Sequence, residues 1–128
     1  MEFYASPQAR AAGLPFSEAV RAGDVLYLSG ALGNVPGKME LVPGGLEAEA
    51  RQIMENIGRV LRAHNLSFDD IFKYTVMLAD MNEWPAFNRV YLSYFRRDRL
   101  PARSAFAAAG LALGARVELE CWAWAGKK

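Results

Sequence analysis

The spacing of apolar positions changes along this chain, and each change marks an element. Between Leu46 and His64, the residues Ala50, Ile53, Ile57, Val60 and Leu61 recur mainly at three- and four-residue intervals. That spacing puts them on one face of an α-helix. Glu47 and Glu49 fall in the first turn, where carboxylates complement the helix dipole. His64 reads as a helix-end cation or cap. A second helix begins at Asn82, whose side chain suits an N-cap, and Pro85 follows in the first turn, where its missing N–H costs nothing. Its apolar stripe is Phe87, Val90, Tyr91 and Tyr94, a core face rather than a cofactor box.

Elsewhere the pattern shortens to strands. Ser17 to Ala22 and Val25 to Ser29 are two short strands around the turn residues Gly23 and Asp24. Val25 to Leu28 is continuously apolar, which predicts burial on both faces. Gly30 to Gly45 is a Gly/Pro-rich loop that fits neither a dinucleotide fingerprint nor a phosphate loop. Asp70 to Leu78 (DIFKYTVML) is β-branched and aromatic, as a central strand would be. Ala102 to Ala108 and Ala115 to Ala125 are the last two strands. The order strand, strand, helix, strand, helix, strand, strand predicts an α+β fold: one mixed sheet with two helices packed on one face. The other sheet face then needs cover, which argues for an oligomer.

The last strand carries two different faces. Val117, Leu119, Cys121, Ala123 and Ala125 alternate with Arg116, Glu118, Glu120, Trp122 and Trp124. The first set is core, and a buried Cys121 thiol is inert. The second set mixes carboxylates with large aromatics, as an inter-subunit surface or cleft does. The preceding strand carries Arg103 in the string PARSAF. In an antiparallel hairpin with the last strand, Arg103 would lie beside the row of Glu118 and Glu120, although sequence does not fix the register. Two readings stand: a structural ion pair, or a guanidinium fork gripping a small carboxylate ligand while a glutamate manages a water or a proton.

Composition narrows the classes. The length of 128 residues suits a single domain over 1–128. A formal net charge of +1 gives no field to attract a polyanion, so nucleic-acid binding is disfavoured. The cluster Arg96, Arg97 and Arg99 reads as a solvated helix end. One Cys and one His build no ordinary transition-metal site, and no disulfide can form within the chain. The first residues, MEFYASPQARAAGLPF, lack the apolar core of a secretory signal, and no apolar run approaches the roughly 20 residues that span a bilayer. A cytoplasmic location is the expectation.

PARSAF, with Glu118 fifteen residues after Arg103, resembles the reactive-intermediate (enamine/imine) deaminase family, once grouped as translation inhibitors or perchloric-acid-soluble proteins. Ser29-Gly30, Ala50-Arg51-Gln52, VMLADMN from Val76 to Asn82, and Phe87-Asn88 with Tyr91 and Phe95 extend the resemblance over nearly the whole chain. It implies a chorismate-mutase-like homotrimer with ligand sites between subunits, hydrolysing 2-imino acids and enamines such as 2-aminoacrylate to 2-keto acids and ammonia without a cofactor or metal. It further implies Arg103 as the substrate-carboxylate anchor and Glu118 as the residue that orients water. Phe16, Ser29, Gly30, Asn88 and Ala105 fall at pocket positions. Three residues depart from the family pattern: Phe16 stands where a Tyr is frequent, Ala105 where a Cys is frequent, and Ala31 where a Gln is common. The connection ALGARV also lacks the usual Pro-rich or charged form. A non-catalytic binder of 2-keto acids is the alternative. A ribonuclease is disfavoured by the near-neutral charge and the lack of a paired catalytic His.

Overall fold

The computed structural model describes residues 1–127. The elements run β1 (Glu2–Tyr4), α1 (Pro7–Ala11), β2 (Ala19–Ala22), β3 (Val25–Leu28), α2 (Gly45–Ala63), β4 (Ile71–Leu78), α3 (Trp84–Leu92), β5 (Ala102–Ala107) and β6 (Val117–Trp124). They form an α+β fold around one six-stranded mixed sheet of order β1-β2-β3-β6-β4-β5. The parallel pair is β4 and β5; the other neighbours are antiparallel.

Helices α2 and α3 cover one face of the sheet. Leu46, Ala50, Ile53, Met54, Ile57 and Leu61 from α2 join Phe87, Val90 and Tyr91 from α3. They pack on Leu26, Tyr74, Val76, Val117, Leu119 and Cys121 from the strands. Each such aliphatic or aromatic side chain contributes roughly 1.5–3 kcal/mol on full burial. The alternation expected for β6 holds: Val117, Leu119, Cys121 and Ala123 are buried, and the residues between them are not. Burial pushes the Cys121 thiol up to about 12, which keeps it protonated and unreactive.

Several expectations need correction. The first is the β5–β6 hairpin. Helix α3 makes the β4-to-β5 connection a crossover, which yields a parallel pair. The longer β6, apolar along one face, then takes the interior position between β3 and β4, and the short β5 is left at the edge. Secondly, β3 is not buried on both faces, since Tyr27 is 40% exposed between buried Leu26 and Leu28. Thirdly, Asn82 is no N-cap: Asp80 caps a short turn at Met81–Glu83 by accepting from Asn82 N, and α3 starts at Trp84 with Pro85 in its first turn. Lastly, Arg96, Arg97 and Arg99 do not end a helix. Arg97–Arg99 forms its own turn beyond α3, where Arg96 pairs with Asp98 and Arg99 donates to Asp69 O.

The opening segment also folds more than its pattern suggests. Ser6 accepts from Ala9 N and Pro7 opens α1, while β1 adds an edge strand to β2. His64 caps α2 as expected, with Nδ1 at 2.9 Å from Val60 O and its ring edge-on to Tyr4. No helix among the described residues is long and apolar enough to cross a membrane.

Candidate active site

Register decides where the predicted site residues go. Arg103 lies opposite Tyr74 of β4, and Tyr74 in turn lies opposite Cys121 of β6. Tyr74 and Cys121 are both core-facing, so Arg103 sits on the helix-covered side. Glu118 pairs with Met77 and Glu120 with Thr75, on the opposite side. Arg103 and Glu118 of one chain therefore form no ion pair, which removes the structural-pair reading within the chain.

Arg103 is held by aromatic rings instead of acids. Its guanidinium carbon stands 4.8 Å from the ring centre of Tyr91, 5.1 Å from Trp84 and 5.9 Å from Phe87. Such contacts restrain the cation at roughly 0.5–2 kcal/mol each while leaving its donors unused. Among the described residues no carboxylate lies within ion-pair distance of it. The group opens on a cavity of about 410 Å³, which Asn88, Tyr91, Arg97 and Pro101 also line. Asn88 Oδ1 and Tyr91 OH are buried there with no partner among the described residues. Leaving a buried polar group unmade costs about 1–3 kcal/mol, so both atoms are polar groups held in want of a partner. Burial pushes the Tyr91 hydroxyl up to about 12, against the pull of the Arg103 charge and with a smaller push from Cys121. It stays protonated and able to donate. Ala105 follows Arg103 on the same side of β5, opposite Val76, and is partly buried.

The other predicted residues gather elsewhere. Gly30 lies directly against the Glu118 carboxylate, and a Cβ there would overlap Glu118 Oε2. A side chain at this position would push the Glu118 carboxylate from its place. Burial is the larger cause that raises the Glu118 carboxyl above its ordinary range, and the neighbouring Glu120 charge adds to it. Ser29 donates its hydroxyl to Ser17 O at 2.6 Å, a bond that pins the strand ends. Phe16 is half exposed on the rim of a cavity of about 400 Å³ that Ser29, Gly30 and Ala31 also line. One chain thus holds separate groups: Arg103, Asn88 and Ala105 on the helix-covered side, Glu118 against Gly30 on the opposite side, and Phe16 with Ser29 and Gly30 on a cavity that α2 also lines. Sequence reasoning misses the Tyr91 and Trp84 contacts to Arg103 and the place of Arg97. The available signal is a tyrosine hydroxyl set in an otherwise apolar α3 stripe.

Residues 6–125 match the family model described as endoribonuclease L-PSP. The chain belongs to this family. Among its relatives is the mouse (Mus musculus) 2-iminobutanoate/2-iminopropanoate deaminase, 43% identical over 112 residues, which are 88% of this chain and 82% of the mouse protein. The goat (Capra hircus) protein of the same name is 45% identical over 88% of this chain and 81% of its own. The crystal structure of RidA from the Antarctic bacterium Psychrobacter matches the fold with a TM-score of 0.87 at 34% identity, covering 97% of this chain and 99% of that one.

Proposed function

We propose that the chain, as a single domain over 1–128, is a hydrolase that converts 2-imino acids and their enamine tautomers to 2-keto acids and ammonia. Relatives named as deaminases of 2-iminobutanoate and 2-iminopropanoate, matching over most of both chains, support the reaction class. The observation that carries the site is Arg103, braced by three rings, without an acidic partner among the described residues, on a cavity that Asn88 and Tyr91 also line. This is a receptor for a carboxylate.

The reaction has few demands. Arg103 takes the substrate carboxylate, bidentate through its fork. The imine carbon, held in place, is attacked by water; the C=N bond becomes C=O, and nitrogen leaves as ammonia carrying protons from the water. Glu118 orients that water and takes its proton, a task suited to a carboxyl whose affinity for protons is raised. No cofactor has a part in these steps.

Because Arg103 and Glu118 of one chain face apart, the working site joins Arg103 of one copy to Glu118, Gly30, Ser29 and Phe16 of another. The assembly in this reading is a chorismate-mutase-like homotrimer in the cytoplasm. Its support is the sheet face that the helices leave open, where Tyr27, Phe72, Phe106 and Trp124 are each at least 40% exposed. A soluble monomer rarely carries so apolar a surface. The family description also names an endoribonuclease. A near-neutral charge and a single His, spent on capping α2, weigh against that chemistry.

The test is an assay on 2-aminoacrylate generated in place by a serine dehydratase. Faster release of pyruvate and ammonia than the spontaneous rate supports the reading. Tight binding of 2-keto acids without any acceleration replaces it with a non-catalytic binder.

A further inference from the structure

The cavity that receives Arg103 has a second arginine on its wall. Arg97 lines it from the turn beyond α3, across from the start of β5. Its two neighbours in the basic cluster are occupied: Arg96 pairs with Asp98 at 2.9 Å, and Arg99 donates to the Asp69 carbonyl at 3.1 Å. Among the described residues Arg97 has neither kind of contact, and no acidic one lines the cavity. Two cationic residues on one cavity, which the polar residues Asn88 and Tyr91 also line, is an arrangement for more than one anionic group.

Building on the imine-deaminase reading, we infer that the site prefers dicarboxylic imines, those derived from acidic amino acids, with Arg103 on the carboxylate next to the imine carbon and Arg97 on the distal one. The chemistry at the imine carbon is unchanged: water adds, ammonia leaves, and a dicarboxylic 2-keto acid is the product. Arg97 is exposed, so its contribution is that of a solvent-screened pair and falls as salt rises.

The test compares binding of 2-oxoglutarate and 2-oxobutanoate by calorimetry. It is run beside turnover of the matching imines, generated by amino-acid oxidases. In wild type at low salt, 2-oxoglutarate should bind about two- to fivefold more tightly, the upper range for one exposed ion pair. Rising ionic strength should shrink the advantage. Arg97→Ala should cost 2-oxoglutarate several times more affinity than it costs 2-oxobutanoate, and Arg97→Glu should invert the order. Equal or weaker binding of 2-oxoglutarate by wild type overturns the inference, as does an advantage that persists in both variants. If 2-iminobutanoate is deaminated while no advantage is seen, only this inference fails. If 2-iminobutanoate is not deaminated at all, the deaminase reading falls and takes the preference with it.

Discussion

The two faces of the sheet in this protein follow opposite rules. On the helix-covered face, polar groups are rare and placed one by one. Arg103 stands among rings, and Asn88 and Tyr91 each bury one polar atom without a partner among the described residues. On the open face, Glu118, Glu120, Lys73 and Thr75 are interleaved with Tyr27, Phe72, Phe106, Trp122 and Trp124. Trp122 sits edge-on to both Tyr27 and Phe72. The first face is packed within one chain, with Arg103 left without an acidic partner among the described residues. The second is mixed: more apolar than a soluble monomer usually exposes, yet bearing carboxylates that a closed core would not accept. In the proposed assembly, catalysis needs the helix-covered face of one copy and the open face of the next.

The sharpest break in that contrast is at Arg103. Replacing it with Ala removes a charge-assisted bidentate contact, about ten- to a hundredfold in affinity. Misplacement of the imine adds a further loss in rate. Together kcat/KM should fall about a thousandfold or more, with Arg103→Lys recovering little because an ammonium lacks the fork. The melting temperature should fall by only a few degrees, since the cation has ring contacts but no ion pair to strand. A collapse in stability matching the loss of activity would make Arg103 a scaffold residue.

The open face is tested by assembly. Light scattering should report a mass near three times 14.2 kDa. Phe106→Asp, on the open side of β5 two register positions beyond Ser104, should shift the mass toward the monomer and remove deamination, while far-UV circular dichroism stays that of the folded chain. A variant that is monomeric and fully active would return the whole site to one copy.

Glu118 tests what the carboxylate does on that face. Glu118→Gln should lower kcat by about a hundredfold or more and leave 2-keto-acid binding nearly intact, because only water and proton handling is lost. Wild-type kcat should fall on acidification at a pH above the ordinary glutamate range, since burial and Glu120 raise this carboxyl, and the variant should lack that limb. The stability sign is opposite to that of a paired acid. A raised folded-state pKa means ionisation opposes folding, so the wild type gains stability below the ordinary carboxyl range and loses it as pH rises. Glu118→Gln should therefore melt at the same temperature as wild type or up to about 3 °C higher at pH 7, the difference closing in acid.

Much of this architecture is legible in the amino-acid sequence. The periods of α2 and β6 mark the helix face and the sheet face, because both elements are long and each buries one side against the same core. Arg103 and Glu118 draw attention in the sequence through the resemblance that PARSAF and the later Glu-Leu-Glu carry, while the residues alone leave a structural ion pair open. Their separation is not legible. Strand order depends on α3 acting as a crossover, a global choice that leaves no local mark, and a hairpin is the simpler local arrangement. Strand β1 and helix α1 are invisible because three and five residues carry almost no periodicity. Arg97 is hidden by its company: beside two arginines that do serve as surface contacts, it reads as a third.

Phe16 sets the finest distinction, between a pocket wall that only packs and one that also reacts. It sits half exposed on a cavity rim with Ser29 and Gly30, near the glycine that makes room for Glu118. A phenyl ring offers area and shape there but no proton. If the anchor is Arg103 and the base is Glu118, both functions are supplied without this residue, and Phe16→Tyr adds a hydroxyl at a position with access to solvent. The buried-hydroxyl penalty that a core site would impose is then absent. Activity on 2-iminobutanoate should stay within about tenfold of wild type or rise. An increase would come through kcat if the new hydroxyl aids the water, and through KM if it only contacts the substrate. A thousandfold loss would mean that the apolar ring itself excludes water from the imine, and the division of labour between Arg103 and Glu118 would have to admit a third party.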